Sequence, residues 1–147
     1  MKAVIPSIRR RYGRLEHWAP LAYRYVVRIN PVTVVETETF VRQADAVWTE
    51  AERTEFIDYI ARNPTVGDLM PQSGGVRKVR WRREGSGKRG GVRVIYFFMD
   101  LDAPLFLLMI YAKAARSALS PDARRAVKAL AGRLRQARAA RKARRTA

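Results

Sequence analysis

The sequence predicts an α+β domain: two helices, then a small β-sheet, then one further helix. Three observations predict it. Residues 34–62 carry apolar side chains at helical spacing, residues 76–112 hold three runs with strand character, and Ser120-Pro121-Asp122 opens a last helix. With 147 residues, 48% of them hydrophobic, the chain is long enough to bury a core.

Residues 1–33 show no clean periodicity and carry seven cations against Glu16. Arg24 interrupts the apolar stretch WAPLAYRYVV, which argues against a secretory signal. Three readings remain: a disordered basic arm, an amphipathic transit segment, or a translation start that lies later, at Val32 or Val34. The domain is expected over 34–136, with a basic tail over 137–147.

The first helix places Phe40, Ala44, Val47 and Trp48 on one face. Thr49 and Glu52 have the S/T-x-x-E spacing of a capping box, which starts a second helix at about 50–62 that buries Phe56, Ile57 and Ile60. Asn63-Pro64 ends it, because proline disfavours helix in the residue before it. Residues 64–75 read as a loop. Residues 76–82 then alternate, with Val79 and Trp81 on one face and Lys78, Arg80 and Arg82 on the other. Residues 92–99 (VRVIYFFM) are β-branched and aromatic, and LFLLMIYA is continuously apolar, as a central strand is. The final helix has Ser120 as N-cap, Pro121 at its first position and Val127, Leu130 and Leu134 as its apolar stripe. After Gln136 no large apolar residue remains, so the segment reads as a frayed basic tail.

The net charge is +17 and the isoelectric point about 11.4. Such a field favours nucleic acid or another anionic surface. The charge is uneven: residues 1–33 carry +6, residues 34–120 carry +2 and residues 121–147 carry +9. Within the nearly neutral middle, Arg77, Lys78, Arg80, Arg82, Arg83, Lys88, Arg89 and Arg93 meet the single acid Glu84. A solvated face usually mixes signs, and like charges on neighbouring strand positions cost stability. The cluster therefore reads as a nucleic-acid-binding face, against the plainer reading of a solubilising surface.

Other chemistry is limited by composition. There is no cysteine, so no disulfide framework, thiolate nucleophile or zinc–thiolate site exists. His17 is the only histidine, which excludes multi-histidine metal sites. No cofactor is expected. No apolar run reaches the roughly 18 residues of a membrane span, so no membrane partner is expected, and a reducing cytoplasm is the expected compartment. The stretch GSGKRGGV at 85–92 fits G-x-G-x-x-G-x-V, but a strand follows where a dinucleotide fold needs a helix. It reads either as a hairpin connection or as a loop presenting Lys88 and Arg89 to phosphates. Lys113 closes the apolar strand, either as a solvated exit or beside the cationic face. Tyr96 and Tyr111 are each open to two readings: stacking on a base or a buried ring with a paired hydroxyl.

Three segments carry a family resemblance: FIDYIARNPTVGDLMPQSGGVRKVRW, GKRGGVRVIYFF and LLMIYAK. Over about Val34 to Leu134 the chain resembles the RelE/HigB family of type II toxin–antitoxin toxins, on the HigB side. The resemblance implies a RelE/ParE-like fold, with two N-terminal helices packed on a small antiparallel sheet and a C-terminal helix. It implies a ribosome-dependent mRNA endonuclease, neutralised by a HigA-like helix-turn-helix antitoxin. Lys78 and Arg80 match the family's basic pair, Arg93 the arginine before VIY, Lys113 the lysine after the last core strand, and Lys88 and Arg89 the basic loop. These imply Lys78, Arg80, Arg93 and Lys113 as catalytic residues, with Arg77, Arg82, Lys88, Arg89 and Arg116 holding RNA. The chain departs from the family where AKAARSALS replaces a polar, charged stretch, so that Ala114 and Ala115 lie near the expected site. Two other functions remain: a non-catalytic RNA- or ribosome-binding module, consistent with Ala114 and Ala115, and a ParE-like toxin directed at gyrase on the same fold, against which the basic pair on the second strand argues.

Overall fold

The computed structural model describes residues 31–82, 91–116 and 118–147. The expectations for residues 1–30 and for the loop with Lys88 and Arg89 lie outside the described residues. In chain order the elements are β1 (Val34–Glu36), α1 (Glu38–Val47), α2 (Glu50–Arg62), β2 (Asp68–Leu69), β3 (Val76–Trp81), β4 (Val92–Phe97), β5 (Leu105–Ala112) and α3 (Pro121–Thr146). The sheet order is β1-β5-β4-β3-β2. All neighbours are antiparallel except β1, which runs parallel to β5 and makes the sheet mixed.

Local chemistry sets the helix starts. Thr37 caps α1 by accepting from the Phe40 N–H, and its hydroxyl donates to the Leu107 carbonyl at 2.8 Å. That one side chain starts the helix and ties it to β5. Thr49 and Glu52 form the full capping box of α2, and Ser120 caps α3 with Pro121 behind it. Arg53 joins the α1–α2 layer to β1, at 2.6 Å from Glu36 and 3.2 Å from Asp45.

Strand alternation divides the core in two. Val79, Val94, Tyr96 and Leu107 pack with Phe40, Trp48, Phe56 and Ile60 beneath α1 and α2. Val76, Ile95, Phe97 and Leu108 pack with Leu119, Val127 and Ala131 beneath α3. Helices thus cover both faces of the sheet, and every residue of β4 is buried.

The C-terminal segment differs from expectation. In place of a frayed tail after Gln136, α3 continues to Thr146. Alanine and arginine are strong helix formers, and cations suit the negative end of a helix dipole. Losing the apolar stripe removes the packing but leaves that propensity. Arg138, expected in the tail, lies 3.2 Å from Asp100, and Arg135 donates to the Gly74 carbonyl. Among the described residues no helix is long and apolar enough to cross a membrane.

Candidate nucleic-acid interface

Residues opposite each other in a ladder project to the same face. Arg80 lies opposite Arg93, and Arg93 lies opposite Tyr111. β3, β4 and β5 therefore carry one row, Arg80–Arg93–Tyr111, across the α3 face of the sheet. Lys78 is on the same face, about 7 Å further along β3, opposite Ile95 and then Met109. A register shift between Ile95 and Tyr96 leaves Leu108 without a partner in β4, and this places Tyr111 opposite Arg93.

The turns at this end are closely fitted. Gly91 has φ +88°, and a Cβ there would meet the Trp81 carbonyl oxygen at 2.5 Å. Glycine lets the chain enter β4 tight against the end of β3. The Lys113 N–H donates to the Gly91 carbonyl at 3.1 Å, so the lysine leaves β5 at the same edge, in an exposed turn. Arg116 follows, with its guanidinium 6.0 Å from the centre of the Tyr111 ring.

The electrostatics are unusual for a buried surface. Arg93 is only 7% exposed, and among the described residues it has no acidic partner within ion-pair distance. Burial lowers its pKa first, and the nearby charge of Arg80 lowers it further, with Tyr111 opposing. Burial raises the Tyr111 phenol, while Arg93, Arg116 and Arg124 lower it. Arg124 belongs to the first turn of α3, where its N–H donates to Ser120. Beside it, a shallow groove between Met70–Ser73 and α3 is lined by Arg124, Arg125 and Lys128.

The sheet thus brings Lys78, Arg80 and Arg93 onto one face, and the β5 exit adds Lys113 and Arg116 at its end. It separates the rest. Arg77 projects to the α2 side and donates to the carbonyls of Thr65 at 3.2 Å and Gly67 at 2.7 Å. Arg82 lies beyond the end of β3 and pairs with Glu55 at 3.3 Å. Sequence reasoning missed Arg124 and left Tyr111 undecided. The available signal for Arg124 was its place four residues after an N-cap that follows the β5 exit.

A family model described as the RelE toxin of the RelE/RelB toxin–antitoxin system matches residues 33–145. The chain belongs to the RelE toxin family. This RelE-family toxin is also similar to a solved structure of the E. coli toxin RelE, an arginine-to-alanine double mutant in the free state. That match has 12% identity and a TM-score of 0.45, and covers 60% of this chain and 90% of the other. The chain is a toxin of a toxin–antitoxin system, with an antitoxin as its partner.

Proposed function

We propose that this toxin is a HigB-like endoribonuclease that cuts mRNA on the ribosome and is held in check by a HigA-like helix-turn-helix antitoxin. The observation that carries this reading is the Arg80–Arg93–Tyr111 row. A sheet that buries an arginine beside another arginine, with no acid in ion-pair reach of either among the described residues, is built for a polyanion.

RNA supplies its own nucleophile. The 2′-hydroxyl attacks the adjacent phosphorus while its proton passes to a base. The P–O5′ bond then breaks, and the departing oxygen takes a proton, leaving a 2′,3′-cyclic phosphate and a 5′-hydroxyl. The protein's part is alignment and stabilisation of the charge that develops on the phosphorane. Arg80 and Arg93 take that charge; a guanidinium stays ionised and matches two phosphate oxygens at once. Lys78 is the base or positions the 2′-hydroxyl, and Lys113 orients the phosphate from the β5 exit. Arg77 and Arg82 contribute to the outer field, since their guanidinium groups already have partners.

The test is mRNA cleavage on purified ribosomes by the full-length chain, with mRNA ends mapped. Wild type cuts, and Arg80→Ala loses roughly a hundredfold or more in rate with an unchanged circular dichroism spectrum. Tight ribosome binding without any cleavage overturns the endonuclease reading in favour of binding alone, with Ala114 and Ala115 the first residues to restore to polar ones.

A further inference from the structure

Packing alone does not account for Tyr111. Its ring lies in the core beneath α3 and is 7% exposed, yet its hydroxyl is closed to solvent and has no hydrogen-bond partner among the described residues. A buried hydroxyl left unpaired costs free energy that phenylalanine in the same space does not. The contrast with Tyr96 is direct. That phenol is also buried, but it accepts from the Gly67 N–H at 2.9 Å and donates to the Pro64 carbonyl at 2.8 Å.

Among the described residues, the charged groups that act on the Tyr111 hydroxyl are all cations. Arg93 is opposite it on β4, Arg116 lies over its ring, and the charge of Arg124, in the first turn of α3, acts on it from further off. A guanidinium has five donors and no acceptor. None of the three can take the phenol's hydrogen bond, and none has an acidic partner among the described residues. Among the described residues the hydroxyl lacks an acceptor, and the arginines lack a counter-ion. A phosphodiester group supplies both.

We propose that Tyr111 is a catalytic residue whose hydroxyl donates to a non-bridging oxygen of the scissile phosphate, with Arg93, Arg116 and Arg124 gathered around the same group. This rests on the endoribonuclease reading and deepens it. Arg116 and Arg124 are exposed, long side chains. An arriving phosphate draws them onto its oxygens. Burial is the larger influence on the phenol, so it keeps its proton and acts as a donor. The non-bridging oxygens gain charge as the phosphorane forms, so the bond strengthens in the transition state and acts on kcat more than on binding.

Two measurements decide it, both on the full-length chain. First, Tyr111→Phe keeps the ring and its packing. Its kcat for ribosome-bound mRNA is expected to fall about a hundredfold, with KM unchanged and a melting temperature at or above that of wild type. Wild-type kcat, or an equal loss explained by a lower melting temperature, overturns the proposal. Second, the 13Cζ resonance of Tyr111 in the wild type is followed as a short 2′-O-methylated RNA, or inorganic phosphate, is added. A saturable shift with the RNA supports the site, and a shift with both identifies phosphate as the group recognised. If the wild type cuts no RNA, the endonuclease reading falls by itself, and the resonance still decides the site. No shift at saturating RNA overturns it.

Discussion

Replacing Arg93 with methionine should make the protein more stable and less active at once. Arg93 is 7% exposed in a strand buried on both sides, and its cross-strand partner is Arg80. Facing like charges on a sheet cost roughly 0.2–1 kcal/mol. The guanidinium recovers little within the described residues, since its hydrogen bond to the Val92 carbonyl is long, at 3.3 Å, in a class that contributes about 0.5–1.5 kcal/mol at best. Methionine follows the path of the arginine stem, and each further buried methylene equivalent contributes about 0.8 kcal/mol. The balance favours the variant by about 1 kcal/mol, or roughly 4 °C in melting temperature for a domain of this size. Cleavage on ribosomes should drop a hundredfold or more. Thermal unfolding followed by circular dichroism, beside the cleavage assay, reads both quantities. Salt provides an internal check, because screening of the Arg80–Arg93 repulsion stabilises wild type more than the variant. A variant that melts several degrees lower would show that the fold depends on Arg93, and the idea of a charge kept for function would fail.

Four further outcomes follow from the geometry. Tyr96→Phe leaves the Gly67 N–H and the Pro64 carbonyl without their partner and should cost about 1–3 kcal/mol in urea unfolding; wild-type stability would show that water replaces the hydroxyl. Burial raises the Tyr96 phenol above its usual value, so stability is full below about pH 10 and falls as pH rises and the unfolded chain loses its proton first; a melting-temperature profile in Tyr96→Phe should fall less steeply there. Gly91→Ala meets both a φ of +88° and a 2.5 Å approach to the Trp81 carbonyl, and should lose about 1–3 kcal/mol, whereas an alanine variant as stable as wild type would mean the turn relaxes freely. Deleting residues 137–147 removes Arg138, Arg141, Lys142, Arg144 and Arg145, and should flatten the log–log salt dependence of RNA binding by about 0.7 for each phosphate that is no longer neutralised while cleavage persists; an unchanged slope would exclude the end of α3 from RNA binding.

Much of the fold was legible because local signals agreed with one another. The Thr49–Glu52 box, the Asn63-Pro64 stop and the Ser120-Pro121 start each mark a boundary by their own chemistry, and each boundary is where the chain predicts it. β1 was not legible. Three residues carry no period, and their partners on β5 lie about 70 positions away. The length of α3 was misread because an absent apolar stripe removes packing without removing helix propensity. In the site, period-two alternation put Lys78 and Arg80 on one face, and the ladder keeps them there. The same alternation included Arg82, but β3 ends at Trp81 and Glu55 takes that guanidinium. Tyr111 was beyond sequence reasoning, because its place opposite Arg93 depends on the single unpaired residue Leu108, and register is a property of two strands together.

The order in which the row's residues occur along the chain has a consequence for synthesis. Arg80 and Arg93 come from β3 and β4, Tyr111 closes β5, and Arg124 arrives only with α3. β1 finds its partner only when Leu105–Leu107 has been made, and α1 hangs from the same strand through Thr37. A growing chain therefore has neither a complete sheet nor an assembled row until residues 105–124 have left the ribosome. Pairings of such long sequence separation form late in folding. On the endoribonuclease reading, a chain still being made would lack the assembled site; stalled chains ending near Pro104 should remain protease-sensitive throughout, and a protected sheet at that length would refute it.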